Sequence, residues 1–206
     1  MSIKNHEVNA LFAEPFFRAN IAHAISGKQV DYIKNLQMVQ NKINLISENL
    51  YLFEEPEMKS IKEAVQEALS IYASEVMGIT QKLYVTQSWA MINNPGVGMH
   101  GHSHSNSIIS GSLYYTDLEP PVSRMVFNRH NSYQQLAIDA VEGKKNIYNT
   151  LVNIVTPNAC DILLFPSGIQ HFVETNESIK PRHAIAFNTF IKGKLGDYRE
   201  VSELTL

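Results

Sequence analysis

The pattern of the sequence changes at Gly78, and this change limits the folds that the chain can adopt. Before Gly78, apolar residues recur at helical spacing over residues 61–76, and Ser60-Ile61-Lys62-Glu63 matches a capping box at the start of that helix. After Gly78 come short segments rich in Val, Ile, Thr, Tyr and Phe, separated by turn-forming residues. These predicted strands are 82–93, 108–116, 123–130, 147–155, 161–166, 171–175 and 183–191. Helices followed by many strands predict an α+β, mainly β protein, with N-terminal helices packed on one sheet of an antiparallel sandwich or jelly roll.

Two further segments precede the predicted helix. Residues 8–22 are apolar and aromatic around Pro15, which indicates an extended entry segment or an edge strand. Apolar residues within 28–52 have roughly helical spacing and predict a helix with a break in its Asn-rich middle.

The length of 206 residues is that of a single domain. Polar residues 131–146 are expected to form a loop over one mouth of the barrel. We divide the chain into an N-terminal packing segment, a jelly-roll core and a tail, which are residues 1–80, 81–192 and 193–206.

Composition excludes several classes of protein. The net charge is −3 and there is no Lys- or Arg-rich run, which disfavours binding to intact nucleic acid. No window approaches 18 apolar residues, so we expect no membrane span, and the first residues lack the apolar stretch of a signal peptide. The single cysteine, Cys160, excludes an intrachain disulfide and a cysteine-based zinc site, so we expect a cytoplasmic protein.

A cluster of histidines points to a metal. Three of the eight histidines lie within five residues, in His100-Gly101-His102-Ser103-His104. Residues i and i+2 of a strand point to the same side, so His102 and His104 would present two imidazoles to one point. His171 could complete a three-ligand site that leaves coordination positions open, as in non-haem iron oxygenases. We assign His100, next to a Pro-Gly turn, to the solvated loop. Whether His100 rather than His104 is a ligand stays open.

A second group of residues indicates a site for an anion. Arg182, Ala184, Ala186 and Asn188 would share one face of the apolar strand 183–191. If that face lies inside the barrel, the guanidinium needs an anionic partner, and a ligand carboxylate is the natural candidate. The hydroxyl of Tyr114 could contact the same carboxylate, although a core tyrosine with a satisfied hydroxyl is an equally open interpretation.

The combined motifs resemble a known family. The sequence has His-x-His, then Ser110-Gly111-x-x-Tyr114, then Leu-Leu-Phe-Pro-Ser ahead of a histidine, then an arginine and a Phe187-Asn188 ending. This order is similar to that of a family of 2-oxoglutarate/Fe(II)-dependent dioxygenases with bacterial and phage members, over about residues 10 to 192. The resemblance implies a double-stranded β-helix (a cupin-like jelly roll), with His102, His104 and His171 on iron(II).

The resemblance also implies the cosubstrate site and the reaction. Arg182 would hold 2-oxoglutarate, with Tyr114 near the same carboxylate and Asn188 as a further contact. The expected function is that of a hydroxylase, which couples oxidative decarboxylation of 2-oxoglutarate to oxidation of a substrate. The expected partners are dioxygen and a small-molecule or peptidyl substrate, and the choice between monomer and homodimer is open.

One departure from the wider superfamily leaves alternatives open. Its usual first motif is His-x-Asp or His-x-Glu, and here His104 stands where the carboxylate is expected. A three-histidine site carries one negative charge fewer, which raises the redox potential of the iron. The alternatives are a cupin-like three-histidine dioxygenase that does not use 2-oxoglutarate, and a non-enzymatic metal-stapled binding module or phage structural protein.

Overall fold

Two antiparallel sheets face each other across an apolar core. The computed structural model describes residues 6–129 and 140–206. One sheet has seven strands in the order β1-β9-β6-β11-β4-β3-β2 and the other has four in the order β5-β10-β7-β8, while β12 and β13 form a hairpin. The elements are β1 Phe17–Asn20, α1 Gly27–Lys34, β2 Met38–Gln40, β3 Leu45–Ser47, α2 Lys59–Ile71, β4 Lys82–Asn93, β5 Met99–His102, β6 Ile109–Leu113, β7 Met125–Asn128, β8 Val152–Val155, β9 Asp161–Pro166, β10 His171–Val173, β11 Arg182–Lys192, β12 Lys194–Leu195 and β13 Leu204–Thr205. The predicted mainly β jelly roll with N-terminal helices is confirmed.

The seven-stranded sheet separates two cores because its side chains alternate between its faces. On its outer face, Ile61 and Leu69 of α2 pack with Ile185 and Phe187 of β11. A Cβ atom on Gly111 would lie 2.1 Å from the Phe187 ring, so only glycine lets this ring cross β6. The inner face packs against the four-stranded sheet through a second cluster, which includes Leu163, Phe165, Ala184, Met125, Phe127 and Val173.

The structure corrects the prediction of a broken helix over 28–52. Helix α1 ends at Lys34, and residues 38–47 form the β2–β3 hairpin, whose second strand pairs with β4. Backbone pairing with an existing sheet overrides the weak helical spacing of the apolar residues. The predicted edge strand is present as β1, the outermost strand of the larger sheet.

The helix ends also differ from the sequence pattern. The capping box expected at Ser60 is wrong, because α2 begins at Lys59 and the Ser60 hydroxyl donates to the carbonyl oxygen of Ala24. A capping box occurs instead at α1, between Ser26 and Gln29. Helix α2 continues as a π-helical turn over 72–76, and Gly78 follows with φ of +64°, as a helix-ending glycine does.

Two expectations concern parts of the chain beyond the sheets. The loop predicted over 131–146 falls largely on residues 130–139, which lie outside the described residues. Within the described ranges, no helix has both the length and the apolar character that crossing a bilayer requires.

Candidate metal centre

Three imidazoles converge at the end of β5 and the start of β10 in the four-stranded sheet. His102 ends β5 and His171 begins β10, and the two are paired in register, with ring centroids 4.5 Å apart. The ring of His104 stacks nearly parallel to that of His171, with the two Nε2 atoms 3.4 Å apart. One nitrogen from each of the three rings lies within 4.8 Å of the other two. Ligands bound at about 2.1 Å to one ion would lie about 3 Å apart, so small side-chain movements close this site.

Backbone carbonyls fix two of these rings. The Nδ1 atom of His102 donates to the carbonyl oxygen of His100 at 2.8 Å, and that of His171 donates to Ile169 at 2.9 Å. A neutral imidazole that donates through Nδ1 keeps its Nε2 lone pair, so both Nε2 atoms can act as ligands.

The expected histidine pair converges for a different reason from the one that the spacing gave. Strand β5 ends at His102, so His104 lies beyond it and strand alternation does not orient its ring. A loop places it instead, where the backbone N–H of His104 donates to the carbonyl oxygen of Ser167 at 2.9 Å. His100 is exposed and lies outside the convergent group, next to His102.

Burial keeps two of the rings neutral. It lowers the pKa of His104 to about 3, with the charges of His171 and His102 adding to the effect. Burial also lowers the pKa of His171 to about 4, against the opposing hydrogen bond to Ile169. The Phe165 ring packs edge-on against His171 at 4.7 Å and excludes water from that side. Neutral imidazole is the form that binds metal, so the site does not lose its ligands to protons at pH 7.

A buried cation with unsatisfied donors lies beside the inner core between the two sheets. Arg182 begins β11 and is 5% exposed, and its Nη2 atom donates to the Tyr114 hydroxyl at 2.8 Å. Its Nε and Nη1 atoms are buried without a hydrogen-bond partner, and no carboxylate of the described residues forms an ion pair with it. Tyr114 is fully buried and belongs to the inner core together with Phe165, the ring that contacts His171. Unpaired buried guanidinium donors are costly, which points to an anion that is part of the functional state.

The third residue expected near the cosubstrate lies elsewhere on the same face. Asn188 follows Arg182 by six residues along β11, a separation of about 20 Å in an extended strand. The Asn188 Oδ1 atom accepts a hydrogen bond from the Ser110 hydroxyl at 3.0 Å. Ser110 is in register with Phe165, so Asn188 lies towards the histidines rather than beside Arg182.

The sequence motifs contain Ser110 and Ser167, but sequence reasoning assigned these serines no role beside the His104 loop. Ser107, Ser110 and Ser167 form a cluster of hydroxyls, two of which are about 1% exposed. The Pro-Ser turn ahead of His171 could have indicated this cluster. A buried serine next to a ligand needs a hydrogen-bond partner, and other hydroxyls are candidates for that partner.

Comparison with known proteins gives one family and a set of similar folds. A family described as "Putative 2OG-Fe(II) oxygenase" matches residues 87–188, which include all six residues predicted at the site. No curated protein matches the sequence.

Solved structures are similar in fold at low sequence identity. A 2OG-Fe(II) oxygenase family oxidoreductase from Burkholderia pseudomallei is 9% identical, with a TM-score of 0.59 over 84% of this chain and 83% of its own. HygX from Streptomyces hygroscopicus, with nickel and 2-oxoglutarate bound, is 11% identical, with a TM-score of 0.59 over 85% of this chain and 82% of its own. A Pseudomonas putida prolyl-4-hydroxylase is 12% identical, with a TM-score of 0.55 over 87% of this chain and 94% of its own.

Proposed function

We propose that this protein, whose residues 87–188 match the family of 2OG-Fe(II) oxygenases, is an iron(II)- and 2-oxoglutarate-dependent hydroxylase with a three-histidine metal centre. Its ligands are His102, His104 and His171. The observation that carries the assignment is the buried Arg182, which has unpaired donors and is hydrogen-bonded to Tyr114, a member of the same inner core as the Phe165 ring that packs on His171. When bound, iron(II) and 2-oxoglutarate would supply the oxidising power for hydroxylation, with succinate and carbon dioxide as the products of the cosubstrate.

The donor set of the three histidines fits iron(II). Imidazole nitrogen is a ligand that iron accepts readily, and three protein ligands leave positions for a chelating cosubstrate and dioxygen. The exposed position of His100 argues against a fourth protein ligand, which a closed structural site would need. The arrangement therefore supports a catalytic centre rather than a metal that only fastens loops together.

The pair formed by Arg182 and Tyr114 fits a carboxylate. The Tyr114 hydroxyl occupies only one of the two protons on Nη2, so one two-proton edge of the guanidinium remains complete. Since Tyr114 accepts this hydrogen bond, its own proton is left to donate. Together they offer a carboxylate a two-point contact and a third donor, and the charge of the distal carboxylate neutralises the guanidinium.

The two ends of 2-oxoglutarate would thus meet different positive charges. One carboxylate and the keto oxygen would face the metal, and the far carboxylate would face Arg182. Asn188 lies on the histidine side of β11, so its proposed contact is with the end of the cosubstrate nearest the metal.

The primary substrate is proposed to enter beside β4. Gln87, Trp89 and Met91 of this strand pair with Asn188, Ala186 and Ala184, so they lie on the inner face. All three are only half-buried, whereas Ala184 and Ala186 are buried. A partly open wall that combines an indole ring, a thioether and one amide suits a small-molecule or peptidyl substrate.

Binding of metal and cosubstrate to the purified protein tests the proposal. Anaerobic addition of iron(II) and 2-oxoglutarate should produce a metal-to-ligand charge-transfer absorption, and admission of air should yield succinate. His171→Ala should remove both signals because it deletes a buried ligand. If iron binds but no charge-transfer band or succinate forms, the cosubstrate is not 2-oxoglutarate. A three-histidine dioxygenase whose substrate itself chelates the iron would then be the better account.

A further inference from the structure

We propose that Ser107, Ser110 and Ser167 are positioning residues that hold His104 against His171. The inference rests on the metal centre proposed above and adds the reason why a ligand carried by a loop is held in place. A strand fixes the direction of its side chains, but His104 lies outside β5 and needs another support.

Both ends of the His104 loop are fastened to one residue. At the start of the loop, the His104 N–H donates to the Ser167 carbonyl oxygen at 2.9 Å. At its end, the Ser167 hydroxyl donates to the Ser107 hydroxyl at 2.8 Å. Between them Asn106 adopts a left-handed conformation with φ of +54°, which Asn tolerates better than most residues and which turns the chain back on itself.

The turn that contains Ser167 also orients the second ligand. This turn joins β9 to β10, and its Ile169 carbonyl oxygen accepts the Nδ1 proton of His171 at 2.9 Å. One short turn therefore contacts His104 through Ser167 and His171 through Ile169. A displacement of Ser167 would change the distance between the two ligand nitrogens, which now lie 3.4 Å apart.

The remaining hydroxyls anchor this turn to the large sheet. The Ser110 hydroxyl on β6 donates to Asn188 on β11, and its oxygen lies 2.8 Å from that of Ser167, so it competes with Ser107 for the single Ser167 proton. The Ser107 hydroxyl accepts the N–H of Thr189 at 3.1 Å and donates to a carbonyl oxygen of β6. Thr189 follows a register shift in β11, where the ladder to β4 is irregular. This buried network connects the loop to β6 and β11 of the larger sheet and to the turn after β9, which favours a rigid loop.

The test separates positioning from general stability. Ser167→Ala is compared with Ser88→Ala, because Ser88 is an equally buried serine whose hydroxyl accepts the Phe53 N–H on the helix side of the sheet. Cobalt(II), added to the full chain without 2-oxoglutarate, serves as the probe for affinity and for the d–d absorption spectrum. Thermal unfolding of the metal-free protein measures the structural cost of each change.

We expect Ser167→Ala to weaken cobalt binding by roughly 10- to 100-fold and to alter the d–d spectrum, as loss of a ligand's support does. Ser88→Ala should lower the midpoint of thermal unfolding and leave affinity and spectrum unchanged. Ser107→Ala, at a half-buried position, decides the question if Ser167→Ala does not fold, and Ser107→Thr should restore binding because it keeps a hydroxyl.

Two outcomes overturn the proposal, and a third concerns the metal centre itself. The positioning role is wrong if folded Ser167→Ala or Ser107→Ala binds cobalt as the wild type does. It is also wrong if Ser88→Ala weakens binding equally. Equal cobalt binding by the wild type and by His171→Ala would instead show that the metal is not at the histidines, which refutes the proposed function and this inference together.

Discussion

Replacement of Arg182 by Met separates its role in binding from its role in folding. Methionine fills a similar volume without charge, so the change removes a buried cation that has two unpaired nitrogens and no carboxylate partner in the described residues. Replacing a poorly compensated buried charge with an apolar side chain is often neutral or stabilising. The metal-free variant should therefore unfold at the same temperature as the wild type or a few degrees higher, since about 1 kcal/mol moves the midpoint by about 2–4 °C at this length.

Binding of the cosubstrate should change in the opposite direction. The variant loses a two-point, charge-assisted contact in a desolvated site, which is a loss of about 2–5 kcal/mol. That corresponds to roughly 30- to 3000-fold weaker binding of 2-oxoglutarate. Arg182→Lys should recover only part of the affinity, because an ammonium group cannot form two parallel hydrogen bonds to one carboxylate.

The assay is the charge-transfer absorption during anaerobic titration of the iron-loaded protein with 2-oxoglutarate. Thermal unfolding with manganese(II) and 2-oxoglutarate gives a second measure, because a ligand that binds only the folded state raises the midpoint. Beyond the effect of manganese(II) alone, 2-oxoglutarate should stabilise the wild type further and should not stabilise Arg182→Met. A variant that is strongly destabilised and binds 2-oxoglutarate as tightly as the wild type would refute the reasoning and make Arg182 a structural residue.

Three further predictions follow from the site and the core. His104→Asp should retain iron after anaerobic loading, measured as metal content, because a carboxylate is also an iron ligand; an iron-free variant would show that this position requires imidazole. Burial lowers the pKa of His104 from 6.5 to about 3 and the pKa of His171 from 6.5 to about 4. Between these lowered values and 6.5, the unfolded state therefore binds more protons than the folded state. The free energy of unfolding of the metal-free protein should therefore fall from about pH 7 towards 4, and denaturant titrations should show a shallower fall for His104→Asn. Gly111→Ala places a Cβ atom 2.1 Å from the buried Phe187 ring and should cost about 1–3 kcal/mol or more by denaturation, whereas Gly27→Ala, with no atom within 4 Å, should be nearly neutral.

The local pattern of the sequence determined most of the β core. Strand β4 covers 82–93, the predicted segment, because its apolar, β-branched and aromatic residues are bounded by turn formers. The same kind of pattern predicted β9 over 161–166, and alternation along β11 assigned Arg182 to a face that the structure shows to be the buried one at this residue. Side-chain alternation is a local property, so it can be counted without knowledge of the partner strands.

Elements whose structure depends on distant partners were not determined in this way. Residues 38–47 have helical spacing, yet they form a hairpin whose second strand pairs with β4, because packing on the open edge of the sheet outweighs a weak local preference. The capping box formed at Ser26 rather than at Ser60. The Ser60 hydroxyl donates instead to a carbonyl oxygen 36 residues away in the chain.

The candidate site shows the same division. The spacing of the histidines indicated His102, His104 and His171 as ligands, and the structure brings these three together. The reason for their convergence is tertiary, because His104 lies beyond the strand and is oriented by Ser167, which is 63 residues away in the chain. The sequence thus determined which chemical groups were present and which strands carried them. Only the tertiary structure decided their geometry, because hydrogen bonds between a loop and a remote turn have no periodic signal in the chain.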